Sequence, residues 1–198
     1  QKGLVADQLS HSIATEAAVT GSFSLIGLSG GQGTVANGSS YDAATTVPVM
    51  TGNASVSRIA ESGAAMASPN WVKQMSFTIV NNIRMITATG TGILGAVALG
   101  MGEVSVTGTL EAYFGSNALL AKLFAGTPSS LSARISSVNA ATQNQAIIFT
   151  FPRITYTDGS PNAAGKNQDV TTPLSFVTSA DSLTACEIDL QRFEYYEV

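Results

Sequence analysis

Side chains suited to catalysis are scarce in this chain of 198 residues, which contains one histidine and one cysteine. His11 lies in a polar N-terminal segment, and we expect it to be a surface histidine rather than the base of a catalytic triad. Cys186 has no Lys, Arg or His beside it in sequence to stabilise a thiolate, so we expect a buried structural thiol. One His and one Cys do not supply a zinc site. The sequence therefore predicts neither an enzyme nor a cofactor or metal.

A glycine motif at Gly90–Gly95 has the spacing Gly-x-Gly-x-x-Gly, and Glu111 follows about 20 residues later, as in dinucleotide-binding folds. Such a fold needs a crossover helix of about ten or more residues before the next strand. Only residues 96–102 precede the next strand, and they include Gly100 and Gly102. We expect no dinucleotide site here.

A second pattern resembles a calcium loop, with Asp158, Ser160, Asn162 and Asp169 at positions 1, 3, 5 and 12. Ala163 replaces the glycine that position 6 requires, and the flanking segments have strand patterns. We therefore expect an ordinary Asp-Gly turn that opens a loop.

The composition is poor in charge. Charged residues make up 11% of the chain, hydrophobic residues 44%, and the net charge is −4. This balance excludes a charge-rich disordered chain and a basic nucleic-acid binder. Residues 181–198 carry five acidic residues and one arginine, so they account for the whole net charge. A surface with so few charges is poorly protected against association, so either the protein has few exposed residues or its surface associates with something.

Alternating apolar and polar residues predict half-buried β-strands. Glu103–Phe114 places Val104, Val106, Leu110 and Phe114 on one face. Further strands are predicted at Ser22–Leu28, Val49–Ile59, Met75–Ile79, Ser130–Ser136, Gln145–Thr157, Asp169–Ser179 and Ala185–Tyr196. Pro152 predicts an edge position or a bulge. The fold class is mainly β, a β-sandwich or curved sheet with one flanking α-helix.

The helix is predicted at Ala118–Ala125, between Asn117 as N-cap and Gly126 at its C-terminal end. Its apolar residues are expected to pack on the sheet: Leu119, Leu120, Leu123 and Phe124. A second, short helix is predicted at Asp7–Ala18. An internal similarity between Val19–Leu25 and Val106–Ala112 places a glycine in the third position of both, which predicts a bend or a close backbone approach.

Two long loops, Ser29–Thr46 and Asp158–Gln168, interrupt the strands. Loops of this length in a compact domain are usually functional or ordered by a partner. Candidate residues for contacts with a partner, another copy of the chain included, are Gly30, Gly31, Asn37, Asp158, Asn162 and Lys166.

Several segments, taken in order, resemble the tail tube (major tail) proteins of long-tailed bacteriophages. They are Val19–Ser24, Ser76–Arg84, Val104–Phe114, the helix after Asn117, Phe151–Ile154 and the segment ending Gln168-Asp169-Val170. The resemblance covers most of residues 19–198. We take residues 1–198 as a single tail-tube-like β domain. Because the family has further N-terminal strands, we expect this chain to lack an N-terminal part of a longer protein.

The resemblance implies a structural virion protein that forms stacked hexameric rings. Each subunit contributes strands to the inner barrel of a hollow tube, through which DNA passes without specific binding. The implied partners are other copies of the chain, the tape measure protein, the tail terminator and tail-tip proteins, with no membrane. Assembly would take place in the host cytoplasm. Acidic residues facing the lumen are expected among Glu103, Glu111, Glu187 and Asp189.

Two alternatives remain open at this point. One is a tube subunit of a related contractile injection apparatus, which would share the fold. The other is a secreted or surface β-sandwich, such as an adhesion or fimbrial subunit.

Overall fold

Thirteen strands and one helix form the regular structure of the residues that the computed structural model describes, namely 3–34, 40, 43, 49–90, 92, 95–136, 145–163 and 165–193. They are β1 (Val5–Ala14), β2 (Thr20–Ile26), β3 (Val56–Glu61), β4 (Ala64–Ala65), β5 (Val72–Val80), β6 (Arg84–Ile86), β7 (Ala98–Gly100), β8 (Ser105–Tyr113), α1 (Ala118–Ala125), β9 (Ser129–Ser136), β10 (Ala146–Gly159), β11 (Asn162–Ala163), β12 (Val170–Thr178) and β13 (Asp189–Phe193).

Eleven of these strands form one antiparallel sheet in the order β2-β1-β5-β8-β12-β10-β9-β3-β4, with β11 paired to β12 and β13 paired to β10. Strands β6 and β7 form a separate ribbon. The prediction of a mainly-β fold with one helix is confirmed.

Strand β10 turns the corner between two layers. Its C-terminal half pairs with β12, whereas its N-terminal half pairs with β9 and β13. The pairing with β9 shifts register between Phe151 and Ile154, around Pro152. Because proline has no N–H to give to the ladder, it is suited to such a bulge. The bulge predicted at Pro152 is confirmed, and there the chain passes from one layer to the other.

The two layers face each other across an aromatic core. Phe77 on β5 lies 4.8 Å from Phe149 on β10, centroid to centroid, although two strands separate β5 from β10 in the sheet order. We call β2, β1, β5, β8, β12 and the C-terminal half of β10 the large layer. We call the rest of the sheet the small layer. It comprises β13, the N-terminal half of β10, β9, β3 and β4. The arrangement is that of a sandwich.

The buried face of each central strand follows the predicted alternation. Met75 and Phe77 on β5, Val106 and Leu110 on β8, and all three apolar residues predicted on β9 are buried: Leu131, Ala133 and Ile135. Val104 and Phe114 lie beyond the ends of β8 and are exposed.

The two glycines of the internal similarity lie in one row across the large layer. The register pairs Gly21 with His11, His11 with Phe77, Phe77 with Gly108, and Gly108 with Phe176. A Cβ on Gly108 would lie 2.5 Å from the Ser76 carbonyl oxygen and would overlap the Phe176 ring. The predicted close approach is confirmed. The two glycine-bearing strands are not adjacent, because β1 and β5 separate β2 from β8.

The helix predicted at Asp7–Ala18 was wrong, because this segment is mostly β1. Leu9, His11 and Ile13 alternate with serines, and this period of two fits a strand better than a helix. Other strands differ in their bounds: the segment predicted at Val49–Ile59 becomes strand only at Val56, and the last strand is described as Asp189–Phe193. The end of that prediction, beyond Phe193, lies outside the described residues.

Helix α1 has the predicted bounds and ends at Gly126, which has a φ of 59°. Leu119 and Leu120 are buried and Leu123 packs partly on the core. Phe124 was wrongly assigned to this contact, since its side chain is 82% exposed. It lies in the last turn, where residues 124–128 are all exposed. The Asn117 side chain makes no capping hydrogen bond.

An ion pair attaches α1 to the edge of the small layer. Lys122 Nζ lies 2.5 Å and 2.7 Å from the two carboxylate oxygens of Glu61, and Ser129 Oγ donates to the same carboxylate. The side chains of Lys122 and Glu61 are 27% and 11% exposed, so water only partly replaces a lost partner.

Substituting Lys122→Met should lower the free energy of unfolding by about 1–2 kcal/mol, because the Glu61 carboxylate loses its charged donor. Urea denaturation measures this loss. Lys166→Met is the matched control, since Lys166 is exposed, and it should change stability by less than about 0.5 kcal/mol. Equal effects of the two substitutions would contradict the structural role of the pair.

Candidate assembly surfaces

The potentially catalytic side chains do not form a site. His11 was predicted at the surface, which is wrong: its ring lies between the layers, 5.6 Å from the Phe77 ring and 4.9 Å from that of Phe149. Its buried Nδ1 has no hydrogen-bond partner. Cys186 is only partly buried. Among the described residues, no group of three or more His, Cys, Asp and Glu side chains is placed to hold a metal ion.

One motif that sequence reasoning missed is Gly27-Leu28-Ser29-Gly30-Gly31, which has the Gly-x-Ser-x-Gly spacing of a serine nucleophile. That motif requires a sharp turn from a strand into a helix. Ser29 instead follows the edge strand β2, and the chain continues without a helix through Thr34. The motif therefore lacks the context that its chemistry needs.

Burial lowers the pKa of His11 below its usual value, and the nearby Thr20 backbone offsets this only in part. The folded protein thus favours the neutral ring, whereas the unfolded chain takes up a proton below about pH 6.5. The free energy of unfolding should fall as the pH drops through this value, until the folded-state pKa is passed.

This loss is measured by urea unfolding at about pH 7.5 and about pH 5.5. The His11→Phe variant keeps an aromatic ring in the row and removes the titrating group, so its stability should fall less over the same interval. An identical pH dependence of the two proteins would rule out the contribution of His11.

The residues predicted for loop contacts are exposed where they are described. Gly30 and Gly31 are exposed, and a Cβ on either would meet no atom within 4 Å, so packing inside the subunit does not require glycine there. Asn37 lies outside the described residues. Contacts to other subunits through this loop stay a prediction.

The second predicted loop is shorter than expected. Strand β10 runs to Gly159, and β11 pairs Asn162 with Thr171 of β12. Asp158 accepts a hydrogen bond from the Gly159 N–H, but both residues lie in β10 and pair with β12, so the prediction of an Asp-Gly turn at the start of a loop was wrong. Asp158, Asn162 and Lys166 are all exposed.

The four acidic residues predicted for the lumen do not share one surface. Glu111 lies on the outward face of β8 and pairs with Lys73 at 3.0 Å. Glu187 accepts a hydrogen bond from Thr178, and Asp189 begins β13 in the small layer. Glu103 is exposed in the segment before β8. Which of them faces a lumen stays a prediction.

Strand β2 is an unprotected sheet edge. It pairs with β1 on one side, and no described strand covers its other side. Its seven residues include no Pro, Lys, Arg, Asp or Glu, the residues that usually protect edges from further pairing. Phe23 is 70% exposed and Leu25 is 55% exposed. Such an edge favours association with another strand.

The opposite end of the large layer is also open. Residues 155–159 of β10 have β12 on one side, and among the described strands none pairs with their other side. The large layer therefore ends in unpaired backbone at both edges.

Part of the outward face of the large layer carries two rows of hydroxyl groups. At two successive register positions, all four strands β2, β1, β5 and β8 carry Ser or Thr. We call this surface the hydroxyl face, and it comprises Thr20, Ser12, Ser76 and Thr109 in one row and Ser22, Ser10, Thr78 and Thr107 in the next. Sequence reasoning missed it because β1 was predicted as a helix, although its alternating serines carried the signal.

In the described part of the chain, no helix is both long and apolar enough to cross a membrane. A comparison with curated proteins finds no match. A family model for the phage tail tube protein matches residues 1–178 of the 198. That range contains every described strand except β13, and it includes both the hydroxyl face and the edge strand β2. The chain therefore belongs to the phage tail tube protein family.

Proposed function

We propose that copies of this chain join head to tail into rings, and that stacked rings form the hollow tail tube that conducts DNA during ejection. Family membership makes the chain a structural component of the phage tail. The ring, the stacking and the passage of DNA go beyond that membership. Six subunits per ring is the number that the resemblance implies.

The observation that carries the proposal is the pair of open edges at opposite ends of the large layer. A contact between two different surfaces of the same subunit is heterologous, and it closes into a ring when the rotation per subunit permits. Pairing of β2 from one copy with residues 155–159 of the next would satisfy both edges and continue the sheet. The two edges would not repel each other electrostatically, because β2 is uncharged and Asp158 is the one charged residue in 155–159.

Exposed apolar side chains away from the edges supply surfaces for stacking and for other tail components. They lie on β6, after β7 and at the end of α1: Met85, Ile86, Met101 and Phe124. The tape measure protein, the tail terminator and tail-tip proteins are the proposed partners, and assembly in the host cytoplasm is part of the same proposal.

Electron microscopy of the purified protein, together with sedimentation velocity, tests the proposal. Rings with a central hole, or long hollow tubes, are the expected result. A monomer that persists at high protein concentration and forms neither would count decisively against it.

A further inference from the structure

We propose that the hydroxyl face lines the channel of the assembled tube, so that the surface beside the DNA is neutral and hydroxylated rather than acidic. This inference rests on the proposed function and names the surface that would meet the DNA.

The hydroxyl face is continuous across the four strands. Ser10 and Ser22 hydroxyls lie 2.7 Å apart, and those of Ser76 and Thr109 lie 2.8 Å apart, so neighbouring strands are linked by hydroxyl contacts. A shallow depression of about 320 Å³ is lined by six of its eight residues, Ser10, Ser12, Thr20, Ser22, Ser76 and Thr78, together with His11, Gly21 and Phe77 from the row between them. The next register position adds further uncharged residues, Ser24, Gln8, Val80 and Ser105. If the large layers of neighbouring copies join at their edges with this face turned inward, the ring encloses it.

The chemistry of the face does not suit a packed contact between subunits. Interface cores are enriched in aromatic residues and Met and depleted in Ser. Phe23 and Leu25 point to the opposite side of β2 from its serines, and at the other end of the face the exposed Val177 of β12 pairs with Thr107. The hydroxyl face is therefore the part of the large layer that is best suited to stay in contact with water.

A neutral hydroxyl surface also fits the passage of a polyanion. DNA is held mainly by Lys and Arg that neutralise phosphates, and single strands are also held by aromatic rings that stack on bases. The eight positions carry neither. Lys73, a cation on the same face, is paired with Glu111 at 3.0 Å, which lowers its availability to a phosphate. Phosphates would meet hydroxyls and water there, with no fixed charge to hold them.

Cysteine labelling locates the face in the assembly. In a Cys186→Ser background, Ser76→Cys or Ser12→Cys places one thiol on the hydroxyl face, and Ser182→Cys places one in the exposed turn after β12. Each variant is treated, as tubes and as dissociated subunits, with N-ethylmaleimide and with a maleimide carried on streptavidin, which is too wide for the channel.

In tubes, the thiol at position 76 or 12 should react with N-ethylmaleimide. Its reaction with the bulky reagent should be at least about tenfold slower in tubes than in free subunits. The thiol at position 182 should react with both reagents.

Rapid reaction of the thiol at position 76 or 12 with the bulky reagent would place the hydroxyl face outside the tube. Protection of that thiol from both reagents would place the face in a subunit contact. Either result overturns the inference. If no ring or tube forms, the proposed function itself fails and the inference falls with it.

The neutrality of the lining has its own measurement, the retention of duplex DNA in tubes after transfer to DNA-free buffer. Wild-type tubes should release the DNA. Ser76→Lys tubes should hold it, with a retention that declines steeply as salt is raised. Retention by wild-type tubes, or equal retention by Ser76→Lys and Ser182→Lys tubes, would contradict the proposed role of the face.

Discussion

Replacing Phe23 and Leu25 together with lysine should leave the subunit folded and weaken its assembly by at least about tenfold, a loss of about 1.4 kcal/mol or more per contact. The two side chains are 70% and 55% exposed, so the folded subunit loses little buried apolar area. The uncharged edge strand would then carry two ammonium groups. These groups repel each other and bind water, and both effects oppose pairing with a neighbouring strand.

Sedimentation velocity over a concentration series measures the shift in assembly, and thermal unfolding of the dissociated subunit checks that the fold is intact. Leu183→Lys is the matched control, because Leu183 is 93% exposed in the turn after β12 and lies on no sheet edge. Normal rings from the double variant would show that β2 is not the contact. Loss of assembly in both the double variant and the control would show a general effect of added charge instead.

The sequence predicted local structure well where one period dominated. Alternation identified the buried faces of β5, β8 and β9, and the residues flanking α1 fixed its bounds. It failed at β1, where a polar segment with some helix-forming residues was assigned to a helix although its serines alternate. Phe124 illustrates a second limit, because helical spacing identifies an apolar stripe but does not show where the helix leaves the sheet.

Surfaces formed by several strands were harder to predict, because they depend on register. Thr107 and Thr109 follow a regular alternation in sequence, yet only pairing with β5 and β1 aligns them with Ser76, Thr78 and the serines of β1. His11 was misplaced for the same reason, since the aromatic rings around it come from β5 and β10. Residues far apart in sequence make these environments, and pattern reasoning within one segment does not reveal them.

The two glycines in the row of Gly21, His11, Phe77, Gly108 and Phe176 should respond differently to the same substitution, because one lies inside the sheet and the other at its edge. Gly108 lies on β8, which is paired with β5 on one side and β12 on the other, so the backbone has no free direction in which to move. An added methyl group would lie 2.5 Å from the Ser76 carbonyl oxygen and overlap the Phe176 ring. Overpacking of this kind costs about 3 kcal/mol.

Gly21 is the matched control, because it has the same place in the sequence repeat but lies on the edge strand β2. A methyl group there would meet the His11 ring at 3.0 Å, and β2 is held on one side only, so a small shift relieves the contact. Alanine also lowers the conformational entropy of the unfolded chain relative to glycine, which offsets part of the strain.

Urea denaturation of the dissociated subunits should therefore give a loss of about 3 kcal/mol for Gly108→Ala and a change of less than about 1 kcal/mol in either direction for Gly21→Ala. Equal losses would mean that local backbone preference, which the two glycines share, determines the effect. A large difference would mean that the fixed approach of β8 to its two neighbours requires glycine at position 108, whereas the edge strand β2 can move to accept a methyl group at position 21.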